Sequence, residues 1–135
     1  MTITEKLLKA DTKKVSELLE GTYESKALAR ALEEKDPVEI KIREVPAKLL
    51  NEYLDGVVDT KGNVNLAKGY EAGKKILVAG LVDPDLKDKE LQKYFGCALG
   101  VDLAEKLFKN EVLDISTAIQ NLSDVETVDE EEIKN

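Results

Sequence analysis

Apolar residues recur every three or four positions along most of this chain, and one short stretch alternates instead. The longest helical pattern runs from Leu66 to Leu81, with Asn65 as a suitable N-cap. From Val38 to Val45, apolar and charged side chains alternate, as in a half-buried strand. The pattern predicts a mainly α (small α+β) fold, a multi-helix single domain with a short β-strand or hairpin. The long helix's inward stripe comprises Leu66, Tyr70, Gly73, Leu77 and Leu81.

Seven shorter segments show the same helical spacing. The first two, at the start of the chain, are predicted surface helices; Asp11 caps the second and Gly21 ends it. Ser25 begins the third, which Asp36–Pro37 closes, and its predicted inward residues are Leu28, Ala31 and Leu32. Pro46 suits the first turn of the fourth. Its predicted inward face consists of Leu49, Leu50, Tyr53 and Leu54.

The last two helices follow Gly100. Asp102 is predicted to begin the first of them, with Glu105 completing a capping box, and a break near Lys109–Asn110 separates it from the second. These two helices are expected to bury Leu103, Leu107, Phe108, Val112, Ile115, Ile119 and Leu122.

The run from Gly80 to Gly96 predicts a joint between two helices. Asp83 and Asp85 flank Pro84 and are interpreted as turn and capping groups. Asp88 can cap a short helix that carries Leu91, Tyr94 and Phe95, and Gly96 suits a left-handed helix stop.

Two stretches leave the helical pattern. Residues 57–64 fit a small hairpin, with Gly62 at positive φ, or an irregular loop, and the pattern does not decide between them. Beyond Ser123 the chain is strongly acidic with few apolar side chains, which predicts disorder. The expected organisation is therefore a helical domain over residues 1–122 and an acidic flexible tail over residues 123–135.

The amino-acid composition limits the classes of protein to which this chain can belong. The chain has 135 residues, 4% aromatic residues and no tryptophan, so one core must be built mainly from aliphatic side chains. A formal net charge of −8 disfavours nucleic acid as a partner. The lysine pairs at 13–14 and 74–75 are interpreted as solvated helix faces. The longest apolar run, Ile76–Val82, is too short to cross a membrane, and the charged start of the chain does not resemble a signal peptide.

Few residues suggest catalysis or the binding of a metal or phosphate. The chain has no histidine, and its single cysteine, Cys97, is interpreted as a small buried thiol. Asp59–Tyr70 superficially follows a calcium loop but lacks the glycine and the final glutamate that such a loop requires. Gly69–Lys75 falls one residue short of a phosphate-binding loop, so Gly69, Gly73 and Gly80 are interpreted as points of close helix packing. We expect no enzyme activity, no cofactor and no metal.

Three segments resemble a known family in the same order. Val78–Gly96, with its Val-Asp-Pro-Asp-Leu turn, resembles the joint of the XkdN-like phage tail assembly chaperones. Val38–Gly56 is similar to that family's strand and short helix, and Leu107–Val125 to its closing region. Asn110 departs from the family pattern, in which glycine is expected.

The resemblance implies a non-enzymatic protein of a phage or prophage tail operon. It would accompany the tape measure protein in the bacterial host cytoplasm until tail-tube subunits polymerise around that protein, and it would be absent from the mature virion. Family members are commonly made in short and frameshift-extended forms, so a longer form of this chain is a further expected partner. Whether the chain forms a homo-oligomer is left open.

That role requires reversible contact with apolar helical stripes, through an apolar groove with a charged rim. The same side chains would also suit the core. A small acidic scaffold or regulatory protein-binding module unrelated to tails is the alternative interpretation. The candidate partner-binding residues are Tyr70, Leu77 and Leu81 on the long helix and Leu91 and Phe95 beyond the turn.

Overall fold

The computed structural model describes residues 1–124, and within them the chain forms eight α-helices and three β-strands. Only the first two residues of the predicted tail, 123–135, fall inside this range, and the rest of the tail lies outside the described residues. In chain order the elements are α1 (Ile3–Leu7), α2 (Thr12–Ser16), β1 (Glu20–Ser25), α3 (Lys26–Ala31), β2 (Val38–Arg43), α4 (Ala47–Leu54), α5 (Leu66–Gly80), β3 (Leu81–Asp83), α6 (Lys89–Tyr94), α7 (Gly100–Phe108) and α8 (Val112–Gln120). The mainly α, small α+β class is confirmed.

The strands form one antiparallel sheet in the order β1-β2-β3. The predicted strand is confirmed as β2, where Ile40 and Ile42 are each 1% exposed and face the core. Its neighbour β1 was not predicted. The second helix ends at Ser16, and Gly21 lies inside β1 opposite Ile42, so the expected helix stop at Gly21 is wrong. Pairing with β2 decides this conformation, and no local signal reports that pairing.

The joint between α5 and α6 also contains more than a turn. Leu81–Asp83 forms β3 and pairs with β2, with Leu81 opposite Ile42 and Asp83 opposite Lys41. The long helix therefore ends at Gly80, and Leu81 enters the core from a strand. The predicted cap at Asp88 is confirmed, and Gly96 adopts a φ of +70° as a left-handed stop.

Helix α5 lies at the centre of the core and packs against α4, α7 and α8. The predicted caps at Asn65, Ser25 and Asp11 are confirmed, since each side chain accepts a backbone N–H of its helix. The apolar core consists of Leu28, Ala29, Ile40, Ile42, Val45, Ala72, Ile76, Leu77, Leu81, Leu86, Leu103, Ala104, Leu107, Phe108, Val112, Ile115 and Ile119.

Several predicted inward positions are corrected. Leu66 is 82% exposed, because it is the first residue of α5 and precedes the helix's contacts with the core. Helix α3 ends at Ala31, well before Pro37, so Ala31 and Leu32 are exposed and Ala29 is buried in their place. Helix α7 begins at Gly100, and the N-cap position is held by Leu99 without a side-chain hydrogen bond. The capping box at Asp102 is therefore wrong.

The remaining boundaries agree with the sequence pattern. A 3₁₀ turn at Lys109–Glu111 separates α7 from α8, and a second one, Asn121–Asp124, follows α8 and half-buries Leu122. Between α4 and α5, Val58 and Val64 form a single isolated bridge around Gly62, whose φ is +85°. The segment is therefore neither a hairpin of regular strands nor a fully irregular loop, since its ends pair at a single position.

A long-range contact also caps α3. The Ser25 hydroxyl accepts the Leu28 N–H at 3.0 Å and donates to Glu111 Oε1 at 2.6 Å. Glu111 Oε2 accepts the N–H groups of Lys26 and Ala27 at 2.9 and 3.3 Å. The turn before α8 therefore satisfies the first N–H groups of α3, which would otherwise lack partners.

Glycines on α5 allow α8 to approach closely, as the sequence predicted. A Cβ atom at Gly73 would lie 2.7 Å from Leu113 Cδ2, and one at Gly80 would lie 2.7 Å from Ile119 Cγ2 and 2.9 Å from the Arg43 carbonyl oxygen. Gly69 faces only Val57 Cγ1, at an ordinary contact distance of 3.7 Å. Close packing is therefore confirmed at Gly73 and Gly80.

This packing predicts opposite effects for two identical substitutions on α5. Gly80→Ala should destabilise the domain by about 1–3 kcal/mol, because its methyl group would overlap a buried side chain and a backbone carbonyl. Gly69→Ala should stabilise it by about 0.5–1 kcal/mol through helix propensity. Urea denaturation followed by circular dichroism measures both. Equal effects of the two substitutions would contradict the close approach at Gly80.

Candidate interaction site

The segment between β3 and α6 is built as a sequence of short polar turns around one buried anchor. Asp85 Oδ1 accepts the Lys87 N–H at 3.0 Å, and Asp88 Oδ1 accepts the Glu90 and Leu91 N–H groups at 2.8 and 3.1 Å. Leu86 is fully buried between these turns. The interpretation as a turn or capping group is therefore confirmed for Asp85, whereas Asp83 lies in β3. Together with the Asp88 cap, the Asp85 turn fixes the direction in which α6 leaves the joint.

A buried side-chain hydrogen bond ties α6 to this turn. The Gln92 amide Nε2 donates to the Leu86 carbonyl at 2.8 Å, and Gln92 is buried. A Cβ atom at Gly100 would approach the same carbonyl to 2.9 Å, so the start of α7 closes over the turn from the other side. The joint is therefore held from two directions, and α6 presents a defined outer face.

That outer face, together with β3 and the proline turn, lines a shallow, open groove of about 550 Å³ on the surface. Leu91 and Tyr94 are three residues apart and so lie on the same side of α6. The lining of the groove consists of four apolar or aromatic residues, which we call the floor, and four carboxylates, which we call the rim. We call this surface the joint groove; its residues are Val82, Asp83, Pro84, Asp85, Asp88, Glu90, Leu91 and Tyr94.

The structure separates the five candidate partner-binding residues. Leu91 lines the joint groove and is half-buried. Phe95 lies directly behind it, also half-buried, with its ring in edge-to-face contact with Tyr94 at a centroid distance of 5.1 Å. Leu77 and Leu81 are 0% and 3% exposed and belong to the core, so they support this region from inside rather than present a surface.

Tyr94 also lines the joint groove, although it was not among the five candidate partner-binding residues. Its side chain is 83% exposed, although it is aromatic and lies at the end of the groove. The spacing of Leu91 and Tyr94 on a short capped helix was the available signal. Val82 and Pro84 could not be assigned to the same surface, since β3 was not predicted.

The fifth candidate, Tyr70, lies on α5 in a separate polar cluster. Its hydroxyl donates to Glu105 Oε2 at 3.3 Å, and Lys74 Nζ lies 5.0 Å from its ring centroid. Lys74 Nζ also pairs with Glu105 at 3.2 Å and with Glu71 at 3.0 Å. Lys74 is only 8% exposed, so its interpretation as a solvated lysine is wrong. The two carboxylates compensate its charge.

The electrostatics of this cluster follow from its geometry. The hydrogen bond to Glu71 raises the pKa of Lys74 above its usual range, with partial burial opposing the shift and Glu105 adding to it. Partial burial raises the pKa of Tyr70 above 10.0, and the Glu105 carboxylate raises it further. Tyr70 is therefore a neutral hydrogen-bond donor that is already engaged by its own domain.

In the loop that superficially follows a calcium site, the Asp59 carboxylate binds backbone N–H groups of the same loop. Asp59 Oδ1 accepts the Lys61 and Asn63 N–H groups at 2.9 and 2.8 Å, and the Asn63 hydrogen bond lowers the pKa of Asp59. Within residues 1–124 no three His, Cys, Asp or Glu side chains are grouped as metal ligands. No helix in that part of the chain is long and apolar enough to span a membrane.

Comparison with known proteins gives one family and one related structure. The family of phage XkdN-like tail assembly chaperone proteins matches residues 4–134. The crystal structure of the protein yqbn is similar at 16% sequence identity, over 78% of this chain and 87% of that one, with a TM-score of 0.52. At this identity the likeness concerns the fold alone. A search among curated proteins finds no match.

The Tyr70 cluster makes a titration prediction. Because the folded chain holds the phenol neutral, the Tyr70 contribution to stability is present below pH 10.0 and is lost as the pH rises through the raised pKa. Glu105→Gln should lower the pKa of Tyr70, whereas the remote Glu39→Gln should leave it unchanged. Carbon-13 NMR of the tyrosine Cζ atoms between about pH 8 and 12 resolves the shift. An unchanged Tyr70 pKa in Glu105→Gln would contradict the assigned contact.

Proposed function

This chain belongs to the phage XkdN-like tail assembly chaperone family, and on that premise we propose that it binds the tape measure protein during tail assembly, without catalysing a reaction. The observation that carries the proposal is the joint groove. It is formed by the same run, Val78–Gly96, whose residues first resembled the family, and it leaves an aromatic and several apolar side chains on the surface. Exposed apolar surface of this kind is typical of an interaction site.

The shape and chemistry of the groove favour a helical ligand. An amphipathic helix places apolar side chains three and four residues apart, which matches a floor formed by Leu91 and Tyr94 at that same spacing. Carboxylates along the rim remain hydrated while the floor is covered. The tape measure protein, as a long helical client, supplies segments of this kind, and the groove would shield one such segment from aggregation.

The five candidate residues take different parts in this proposal. Leu91 contacts the client, and Phe95 supports Tyr94 from behind through the ring contact. Leu77 and Leu81 act indirectly, since they hold α5 and β3 in the core beneath the joint. Tyr70 also acts indirectly, since its hydroxyl is engaged by Glu105 and helps to hold α5 against α7.

The proposed setting is the cytoplasm of the bacterial host, before tail-tube subunits polymerise around the tape measure protein. The chaperone is then released and does not remain in the mature virion. A frameshift-extended form of the chain would share the same groove.

Co-expression tests the function directly. The cognate tape measure protein should be soluble and co-purify with this chain, and it should aggregate when expressed alone. Purified tails should lack the chain by immunoblot. If co-expression gives neither a complex nor a gain in client solubility, the proposal fails, and the acidic scaffold or regulatory module becomes the better interpretation.

The groove predicts which surface substitutions abolish client binding. Tyr94→Asp should weaken binding by about tenfold or more, because it replaces an aromatic contact by a charge in the floor. Leu66→Asp is the matched control, since Leu66 is equally exposed but lies on α5 outside the groove. Isothermal calorimetry measures affinity, and circular dichroism establishes that both variants remain folded. Equal affinities of the two folded variants would place the binding surface elsewhere.

A further inference from the structure

The start of the chain is folded locally but does not pack into the domain. Residues 1–16, which we call the N-terminal arm, contain α1 and α2, and neither helix has a buried residue. Thr2 caps α1 through the Glu5 N–H at 3.1 Å, and Asp11 caps α2 through the Lys13 N–H at 2.9 Å. The arm nevertheless exposes Ile3, Leu7, Leu8 and Val15.

The charge of the arm is opposite to that of the protein as a whole. Its 16 residues include four lysines, at positions 6, 9, 13 and 14, against two acidic residues, Glu5 and Asp11. The complete chain has a formal net charge of −8. The arm is therefore a basic segment with unpartnered apolar side chains. The joint groove is complementary to it, because the groove combines four carboxylates with apolar side chains.

The root of the arm lies close to the joint. Leu19 is fixed to the end of β2, because its N–H donates to the Glu44 carboxylate at 2.9 Å and its carbonyl accepts the Glu44 N–H at 2.8 Å. Leu18 lines a cavity of about 340 Å³ together with Lys87, which lies between two rim residues of the groove, Asp85 and Asp88. The root of the arm therefore shares a cavity with Lys87, a residue of the turn whose neighbours Asp85 and Asp88 line the groove.

We propose that the N-terminal arm of one copy binds in the joint groove of a second copy, and reciprocally, so that the chain forms a symmetric arm-exchanged dimer. Lysines of the arm pair with the carboxylate rim, and the Ile3, Leu7 and Leu8 side chains cover the floor. Reciprocal exchange of two identical arms satisfies both contacts about a single twofold axis.

A second copy is the occupant that the monomer favours. Within one folded chain the arm does not cover its own groove, since no residue of α1 or α2 is buried and Tyr94 is exposed. Reciprocal exchange removes the apolar surface of two arms and two grooves at once. The dimer and the proposed function use the same groove. They can be tested independently, since self-association is measured without any client.

Sedimentation velocity of the full chain over a range of concentrations tests the dimer. We expect a reversible monomer–dimer equilibrium that weakens as salt is raised. Lys6→Glu with Lys9→Glu should weaken the dimer by about tenfold or more, and so should Asp83→Lys with Glu90→Lys. None of these four side chains is a cap, and all are exposed. A chain carrying all four reversals should dimerise again, because both partners of the contact have exchanged charge.

Matched reversals at two exposed acids outside the groove, Glu34→Lys with Glu52→Lys, should leave the dimer intact. A spin label at Thr4→Cys in a Cys97→Ser chain, mixed with nitrogen-15 protein that carries no spin label, should broaden amide signals of the second copy around Leu91; Thr4 is exposed and is not the cap of α1. A monomer at every concentration overturns the proposal, and so does a dimer that both reversals leave unchanged. Broadening around Leu91 that appears only when the spin-labelled chain itself carries nitrogen-15 would assign the arm to its own groove instead. Client binding without self-association would overturn the dimer alone.

Discussion

The close contact between α5 and α8 is the constraint on which the rest of this structure depends. It exists because Gly73 and Gly80 carry no side chain where Leu113 and Ile119 approach. The last of these glycines also faces the Arg43 carbonyl, so one position brings together the long helix, the last helix and the end of β2. Glycine weakens an isolated helix. Here that loss is offset by burial of the apolar residues that the close approach brings together.

From this contact the chain leaves α5 directly into β3, and the direction of that strand determines the joint. Pairing with β2 holds Leu81 in the core and Val82 outside it. The turns of Asp85 and Asp88 then orient α6 so that Leu91 and Tyr94 face outward beside Val82. The joint groove is thus a consequence of core packing, although none of its floor residues is fully buried.

Polar contacts in the described part of the chain are used chiefly to fix the positions of elements. Glu111 caps α3 from the far end of the sequence, and Lys74 is held between two carboxylates on the side of α5 that meets α7. Exposed apolar groups lie in the N-terminal arm, around the joint groove and at scattered positions such as Leu66, Leu99 and Leu113. In the described residues, buried polar side chains are hydrogen-bonded while apolar side chains remain on the surface. An acidic domain can in this way keep the apolar surface that an assembly chaperone requires.

Local sequence patterns are sufficient to identify the helices, the caps at Asp11, Asn65 and Asp88, the start of α3 at Ser25 and the strand β2. These features depend on residues within about four positions of one another, so their signals are local. Family membership was visible in the same way, through the order of three segments. Contacts made in the folded domain place Gly21 and Val82 in strands, bury Lys74 and bring Leu91 and Tyr94 into one groove with Pro84. Each of these outcomes depends on contacts between residues far apart in the chain, and such contacts leave no periodic pattern in either partner.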